Sequence, residues 1–379
     1  MGKIMRKYPI PWWKTNLGKN EIKKIEQSIL AGHTTQGPVV EKLEEYLAKL
    51  LDVPYALLTI NGSAALLMAL LAFEIKAGDE IIVPNLTFIA TAQAPLLLGA
   101  KIKLVDVECS RPLLDIKQVK KAITRKTKAI IPVHLNGRAA EIESLYRLGE
   151  KHNIRVIEDA AQALCSQNSS GYLGTQSDIG VFSLGITKLI TTVQGGLVVT
   201  RKKALFERLK NIRDGGITKQ VNFMSKYGIA GFNFKFNDIL ASIGLSQIEK
   251  ADEKIKALKD IYNFYKDGLH DLDYIKMIDV RIEEGELPLW VEVLCIEREK
   301  VILLLRKRNI IAKPFDHALC DLLSTHKGKQ YKQSELYAKL GLILPSGPDQ
   351  SKDDLRYVVD SLKEIGNKIP LGRQLKKER

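Results

Sequence analysis

The chain has 379 residues, of which 45% are hydrophobic and 27% charged, and its formal net charge is +14. That length suggests two domains, and the composition excludes a disordered or fibrous protein. No apolar run is long enough to span a bilayer, and the basic N-terminus lacks the apolar segment of a signal peptide. We therefore expect a globular protein without a membrane segment.

The four cysteines lack the paired spacing of a metal site; they are Cys109, Cys165, Cys295 and Cys320. Free thiols of this kind suit a reducing compartment, so we expect a cytoplasmic protein with no metal. The basic residues are scattered among acids, which first favours a solvated surface and second a ligand bearing phosphate. Nucleic acid is the third choice, because no helix-turn-helix or aromatic–basic patch stands out.

In chain order, an extended arm containing Trp12 and Trp13 comes first and is followed by helices over 20–32 and 39–51. Short apolar strands then alternate with helices. The strands are expected at 55–60, 80–84, 101–105, 128–133, 154–157, 180–183 and 197–200, and the helices between them at 64–73, 90–98, 115–123 and 141–152. This alternation predicts an α/β fold with a sheet of about seven mostly parallel strands between helices.

The remaining chain predicts helices over 203–214 and 238–269 on either side of a loop rich in glycine and aromatic residues. Beyond them, a strand at 290–295 mixes with helices at 298–308 and 352–368, which is typical of a smaller α+β domain. We expect residues 1–250 to form a large α/β domain with an N-terminal arm, and residues 251–379 to form a small C-terminal domain.

Ligands of open α/β sheets bind at the carboxyl ends of the strands, so the residues that follow each strand are the candidates for a site. Gly62 and Ser63 form either a turn with an N-cap or a phosphate site at a helix start. Phe88 is either a core residue or a ring that stacks on a planar ligand. Ser183 either caps its loop or donates to a phosphate oxygen.

Asp159 ends a strand within an apolar segment, where a carboxylate is costly unless it has a partner, such as a protonated pyridinium nitrogen. Gln162, three residues later, lies on the same side of a helical turn. Lys188 is the charged residue of the otherwise uncharged stretch 184–196. It is either an amine that reaches solvent from the edge of the core, or a desolvated nucleophile able to form a Schiff base.

Together these residues would supply a phosphate site, a stacking ring, an acid for a ring nitrogen and a nucleophilic amine. That is the set needed to bind pyridoxal 5'-phosphate, whose aldehyde reacts with lysine and whose pyridinium needs an aspartate. The combination favours the second alternative for Lys188, a desolvated nucleophile able to form a Schiff base.

Motifs spread over the whole chain resemble the sugar aminotransferases of the DegT/DnrJ/EryC1/StrS type. They are TTQGP (34–38), NGSAAL (61–66), GDEIIVPNLTFIAT (78–91), GAKIKLVDV (99–107), TKAIIPVHLNGR (127–138), VIEDAAQA (156–163), SDIGVFSLGITKLITTVQGG (177–196), GFNFKFNDILASIGLSQIEKADE (231–253) and LPSGP (344–348). The resemblance implies the fold of type I pyridoxal-phosphate enzymes.

The resemblance also implies the cofactor-binding alternative for Gly62, Ser63, Phe88, Asp159, Gln162, Ser183 and Lys188. It makes Lys188 the catalytic residue, which binds the cofactor aldehyde and later acts as general acid and base. It further implies that Asn233 reaches the cofactor phosphate of a neighbouring subunit, so that the protein is a homodimer. On the substrate side, we expect Trp12, Lys313 and His317.

The motifs ITTVQGG and GFNFKF favour the members of this family that act on C4. The resemblance then implies transfer of the amino group of L-glutamate to C4 of a nucleotide-linked 4-keto-6-deoxy sugar, as in conversion of GDP-4-keto-6-deoxymannose to GDP-perosamine. Such products belong to deoxyamino sugar biosynthesis, including that of lipopolysaccharide O-antigen. The alternatives are a C3-acting aminotransferase and a regulatory sensor that binds the cofactor without turnover.

Overall fold

The computed structural model describes residues 8–221, 224–315, 318–323 and 330–369. Its helices are α1 (Lys19–Leu30), α2 (Pro38–Leu50), α3 (Gly62–Ala72), α4 (Ala90–Leu97), α5 (Ile116–Ala122), α6 (Ile142–His152), α7 (Lys203–Arg213), α8 (Asp238–Ile248), α9 (Ala251–Leu269), α10 (Arg298–Arg306), α11 (Leu319–Leu322), α12 (Lys332–Leu340) and α13 (Lys352–Gly366).

The strands follow the same chain order. They are β1 (Tyr55–Thr59), β2 (Glu80–Pro84), β3 (Lys101–Val105), β4 (Thr127–Ile130), β5 (Arg155–Asp159), β6 (Gln167–Asn168), β7 (Gly171–Tyr172), β8 (Ile179–Ser183), β9 (Gly196–Thr200), β10 (Ile217–Val221), β11 (Met224–Tyr227), β12 (Ile275–Met277), β13 (Val291–Cys295), β14 (Lys313–Pro314) and β15 (Gly341–Leu344).

A large sheet of seven strands, in the order β1-β9-β8-β5-β4-β2-β3, forms the centre of the described chain. The pairs β2·β3, β2·β4, β4·β5 and β5·β8 are parallel, whereas β9 runs antiparallel to both β1 and β8. The expected α/β sheet of mostly parallel strands is therefore confirmed. All of its strands except β9 end at the same edge of the sheet.

Side chains of adjacent strand residues enter different cores because successive residues of a strand point to opposite faces. Val181 and Val198 pack with Met68 of α3 in one apolar cluster. Phe182 and Leu197 pack with Leu43 of α2 in another. Helices thus cover both faces, which explains why these strands are apolar along their whole length.

The C-terminal part contains a four-stranded antiparallel sheet in the order β12-β13-β15-β14, within the described residues. The expected helix over 238–269 consists of two helices, α8 and α9, which are separated at Glu249 and Lys250. The expected loop 215–237 contains the β10–β11 hairpin. The domain division at residue 250 stays a prediction, and it coincides with the break between α8 and α9.

The N-terminal arm lies along the C-terminal part of the chain. Ile10 forms a parallel bridge with Ile310, and Trp13 forms another with Ser346. The Lys14 N–H donates to the Ser346 carbonyl at 3.1 Å. These contacts bring Trp12 from the far end of the sequence to the carboxyl edge of the large sheet. Among the helices of the described residues, none has the length and apolar character needed to cross a bilayer.

Candidate active site

A cavity of about 310 Å³ opens at the carboxyl edge of the large sheet. Its walls combine residues that follow β1, β2, β5 and β8 with residues of the arm and of the C-terminal sheet. The expected site residues on this cavity are Trp12, Gly62, Ser63, Phe88, Asp159, Gln162, Ser183, Lys188 and Lys313. His317 lies outside the described residues, and Asn233 lies elsewhere on the surface.

Close backbone packing brings the start of α3 against the end of β8. A Cβ atom at Gly62 would lie 3.1 Å from the Cβ of Ser183, so any side chain there would crowd the serine. A Cβ atom at Gly196 would lie 2.2 Å from the Asn61 carbonyl oxygen, which requires glycine at this point of β9. The Asn61 side chain caps α3 by accepting from the Ala64 N–H at 2.8 Å.

This start of α3 is suited to an anion. The first N–H groups of a helix have no partner within the helix, and the helix dipole is positive at that end. Ser63 is exposed at the cavity, and the half-buried Ser183 lies beside it on the same wall. The arrangement can therefore bind a phosphate group through backbone N–H groups and two hydroxyls.

Asp159 lies at the floor of the cavity with 4% of its surface exposed. Its Oδ2 accepts from the Thr91 hydroxyl at 2.8 Å, and its Oδ1 accepts from the Ala161 N–H at 3.1 Å. Burial raises the pKa of this carboxyl, although both hydrogen bonds oppose the shift. A cation bound next to Asp159 would remove that penalty, because an opposite charge favours the ionised form.

Thr91 is a residue that the sequence analysis missed. Thr91 is fully buried in α4, and its hydroxyl lies 2.9 Å from the hydroxyl of Thr87, which precedes the helix by three residues. The pair forms a chain of hydroxyls that leads to Asp159. The spacing of four residues between two threonines after a strand is a signal that could have suggested this chain.

Phe88 and Gln162 form further parts of the wall. Phe88 is 54% exposed, which rules out the core alternative for its ring. The Gln162 Oε1 accepts from the Asn136 N–H at 2.8 Å, so the amide has a fixed orientation. The Asn136 side chain in turn exchanges two hydrogen bonds with the backbone of Trp290, at 2.7 and 2.9 Å.

Trp290 was also missed, and it connects the two halves of the site. It precedes β13 in the C-terminal sheet, and it lines the cavity next to Trp12, with the two ring centroids 6.1 Å apart in an edge-to-face arrangement. The Lys188 Nζ lies 4.9 Å from the Trp290 ring centroid. The Lys313 Nζ lies 5.3 Å from the Trp12 ring centroid. Two indole rings and two amines thus face the same opening.

Lys188 lies on a short loop that is held at both ends. The Leu184 N–H donates to the Gly195 carbonyl at 2.8 Å, and the Lys188 N–H donates to the Gly185 carbonyl at 3.1 Å. The Trp13 indole N–H donates to the Ile186 carbonyl at 3.2 Å. The lysine side chain is half-buried on the cavity wall, a position that suits an amine acting on a bound ligand.

Asn233 is exposed and does not line the cavity of its own chain. Its Oδ1 accepts from the Lys235 N–H at 3.4 Å, and the neighbouring Phe232 is 68% exposed. Both residues follow the β10–β11 hairpin. In this chain alone, Asn233 has no access to the Lys188 cavity, so its expected role requires a second subunit.

The fold and the cavity together define a class of protein: an α/β enzyme with a lysine and a buried aspartate at the carboxyl edge of its sheet. The sequence pattern of the DegT/DnrJ/EryC1/StrS aminotransferase family matches residues 15–363. The chain belongs to this family. It is a pyridoxal-phosphate-dependent sugar aminotransferase that acts on nucleotide sugars.

Similar proteins have related activities in their names. A GDP-perosamine synthase of Escherichia coli O157:H7 is 32% identical over 339 residues, which cover 88% of this chain and 91% of the relative. A dTDP-4-amino-4,6-dideoxy-D-glucose transaminase of Shigella dysenteriae is 29% identical over 344 residues, with 88% and 91% covered. The sugar aminotransferase Spr1654 of Streptococcus pneumoniae, solved in its PLP form, superimposes with a TM-score of 0.89 at 24% identity, covering 95% of this chain and 99% of that one.

The residues present fit pyridoxal phosphate. A buried carboxylate with a raised pKa at the cavity floor matches the cationic ring nitrogen, since each removes the other's desolvation cost. The crowded start of α3 beside Ser183 leaves backbone N–H groups for the phosphate. Phe88, whose ring is exposed at the wall, is available to stack on the pyridine ring.

Proposed function

We propose that this enzyme transfers the amino group of L-glutamate to C4 of a nucleotide-linked 4-keto-6-deoxy sugar, as in the formation of GDP-perosamine from GDP-4-keto-6-deoxymannose. The observation that carries this proposal is the shared cavity of Lys188, Asp159 and Lys313. It combines a nucleophilic amine, an acid for a ring nitrogen and a cation at the opening. The product would enter deoxyamino sugar biosynthesis, such as that of O-antigen, in the cytoplasm.

Bound pyridoxal phosphate supplies an aldehyde and a ring that accepts negative charge. The protein contributes the rest. Lys188 offers the amine that binds this aldehyde and, once released, a base that carries a proton along one side of the substrate. Asp159, oriented by Thr91, keeps a proton on the ring nitrogen. The ring of Phe88 and the start of α3 hold the cofactor in place.

Lys313 and Trp12 are the proposed contacts for the nucleotide sugar, together with His317 of the segment that follows. A diphosphate carries negative charge that the Lys313 amine can neutralise, and the Trp12 ring offers an apolar surface to a sugar or base. The names of the Escherichia coli and Shigella dysenteriae relatives support C4 as the position and leave GDP and dTDP as nucleotides to compare.

The covalent role of Lys188 can be tested by mass mapping. Borohydride reduces a Schiff base and makes it permanent, so digestion of the reduced protein locates the attached group. We expect the phosphopyridoxyl mass on the peptide that contains Lys188, and none in Lys188→Ala. Attachment at Lys313, or no attachment in the wild type, would refute this part of the proposal.

The substrate can be tested with isotopically labelled glutamate and a panel of GDP- and dTDP-linked keto sugars. Release of 2-oxoglutarate identifies the active sugar, and NMR of the product locates the labelled nitrogen. We expect nitrogen at C4. Nitrogen at C3 would favour the C3-acting alternative. A protein that binds the cofactor yet turns over no sugar in the panel would favour the regulatory sensor.

We further propose a homodimer in which Asn233 of each chain completes the cofactor site of the other. The exposure of Asn233 and Phe232 supports this arrangement, because both are accessible to a partner. Lys188→Ala and Asn233→Ala should each be inactive as pure dimers. Mixed dimers would contain one intact site, so co-refolding of the two variants should restore activity. No recovery in verified mixed dimers would argue against this role of Asn233.

A further inference from the structure

Lys254 is a buried cation behind the active-site wall. It lies in the first turns of α9 with 6% of its surface exposed. Its ammonium donates to the Leu189 carbonyl and to the Thr15 hydroxyl, both at 3.3 Å, and to the Gln247 Oε1. In the part of the chain that the structure describes, these acceptors are all uncharged.

Such a position is unfavourable for a lysine, because a buried charge is costly when its partners are neutral. Burial lowers the pKa of Lys254 to about 8, an effect that Lys250 adds to and that Asp349 and Glu21 oppose. An apolar side chain of similar length would avoid this cost. Local conflicts of this kind are found mainly at functional sites, so the surroundings of Lys254 suggest a task beyond folding.

Two of the acceptors of Lys254, Leu189 and Thr15, belong to segments that contribute residues to the cavity wall. Leu189 directly follows Lys188 in the loop. Thr15 lies three residues after Trp12 in the arm. The ammonium therefore joins the backbone of the loop to a side chain of the arm. A second contact between the same segments, from the Trp13 indole to the Ile186 carbonyl at 3.2 Å, supports their coupling.

We propose that Lys254 is a positioning residue that fixes the Lys188 loop to the N-terminal arm, so that the Lys188 amine and the Trp12 ring keep their spacing across the cavity. This inference rests on the proposed role of Lys188 at the cofactor. Without the ammonium, the Leu189 carbonyl loses its donor and the arm loses a contact with the loop. The Trp13–Ile186 hydrogen bond would remain, but the arm and the loop would be less firmly coupled.

The same region contains a matched control. The Gln247 amide that accepts from Lys254 also donates to Glu21 Oε1 at 2.8 Å, and Lys250 Nζ lies 3.0 Å from that same oxygen. Lys250 thus belongs to the same polar network, but it donates to Glu21 and precedes Lys254 by four residues. Lys250→Met removes a cation from the network and leaves the Leu189 contact in place.

The experiment compares wild type, Lys254→Met, Lys254→Arg and Lys250→Met. Hydrogen–deuterium exchange of the cofactor-free proteins is followed in peptides covering 10–18 and 184–192. We expect faster exchange in both peptides for Lys254→Met, and wild-type exchange in 184–192 for Lys250→Met. In the loaded enzymes we expect kcat of Lys254→Met to fall by about 10- to 100-fold, since small misplacements of a reacting group have effects of that size.

The change should appear in kcat, with KM for glutamate within about twofold, because a displaced amine affects the reaction more than ground-state binding. The absorbance maximum of the protein-bound cofactor should also shift in Lys254→Met. Lys254→Arg keeps a cationic donor, so its kcat and its cofactor absorbance maximum should both be close to those of wild type. If Lys254→Met does not fold, Thr15→Val removes the arm contact alone, and we expect faster exchange in 10–18 with the loop unchanged.

Unchanged exchange in 184–192 for a folded Lys254→Met would overturn the inference, as would equal effects of Lys254→Met and Lys250→Met. Failure of the proposed function has a different signature: borohydride then leaves no cofactor mass on Lys188 in the wild type. The exchange measurements use the cofactor-free protein. They therefore test whether Lys254 couples the arm to the loop, whether or not the proposed function is correct.

Discussion

The hydroxyl of Thr91 donates to Asp159 Oδ2 at 2.8 Å inside a fully buried part of α4. This bond acts against the burial that raises the pKa of Asp159. Thr91 therefore helps to keep the carboxylate charged and oriented before a cofactor arrives. The relationship links a helix after β2 to the end of β5, and it makes the orientation of the Asp159 carboxylate depend on the last residue of the motif 78–91.

Replacing Thr91 by valine should weaken cofactor binding. Hydrogen bonds to charged groups contribute about 1.5–3 kcal/mol, so we expect at least a tenfold loss of affinity for pyridoxal phosphate. The pKa of Asp159 would rise further, which moves the acidic limit of activity to higher pH. Titration of the cofactor-free protein by fluorescence measures the affinity. Thr91→Ser keeps the hydroxyl and should bind nearly as well as wild type; equal binding by Thr91→Val would disprove the role.

Val193, in the loop after Lys188, should be replaceable by glycine with a gain in stability. Val193 has a φ of 68°, a left-handed value that is strongly disfavoured for β-branched residues, and its side chain is 43% exposed. Relief of this strain is worth about 1 kcal/mol. Urea unfolding should show Val193→Gly to be more stable by that amount and Val193→Ala to gain less. A loss of stability in Val193→Gly would contradict the strain.

Glu292 is expected to be essential for stability because it neutralises a buried arginine. The Arg138 Nη1 donates to Glu292 Oε2 at 2.6 Å, and both side chains are almost completely buried between the large sheet and the C-terminal sheet. Glu292→Gln leaves the Arg138 charge uncompensated, so the free energy of unfolding should fall by about 3 kcal/mol. The exposed Glu283→Gln serves as the control. The double variant Arg138→Met/Glu292→Met should lose less than Glu292→Gln alone, and an equal or larger loss would contradict this explanation.

The stability of the protein should depend on Lys254 in alkaline solution. Its pKa is lowered from 10.5 to about 8 in the folded chain, with Glu21, Asp349 and Lys250 as the charged groups around it. Between these two pH values the unfolded chain holds the proton and the folded chain does not, so stability rises with pH. The free energy of unfolding of wild type relative to Lys254→Met should therefore increase from pH 8 to 10.5. A constant difference across this range would show that Lys254 titrates normally.

Much of the fold follows from local patterns in the sequence. The short apolar strands alternate with amphipathic helices, and this rhythm alone predicts a covered, mostly parallel sheet. The rule that ligands bind at the carboxyl ends of such strands then selects Gly62, Asp159, Ser183 and Lys188. The antiparallel direction of β9 and the hairpin of β10 and β11 were not predicted, because strand direction and pairing depend on partners that local periodicity does not reveal.

The other walls of the site could not be predicted in this way. Trp290 is 154 residues from Asn136, yet the Asn136 side chain forms a pair of hydrogen bonds with the Trp290 backbone. Lys254 contacts Thr15 across 239 residues. Nothing in the spacing of these residues marks them, since each is ordinary within its own element.

The sequence by itself therefore determined the sheet, the helices that cover it, and the candidate residues at the ends of its strands. These depend on periodicity and on turn chemistry, which are local properties of the chain. Only the tertiary structure decided that the arm and the C-terminal sheet close the cavity, that Thr91 supports Asp159, and that Lys254 joins the Lys188 loop to the arm. Contacts of this kind arise when distant elements pack against one another, so they exist only once the chain has folded.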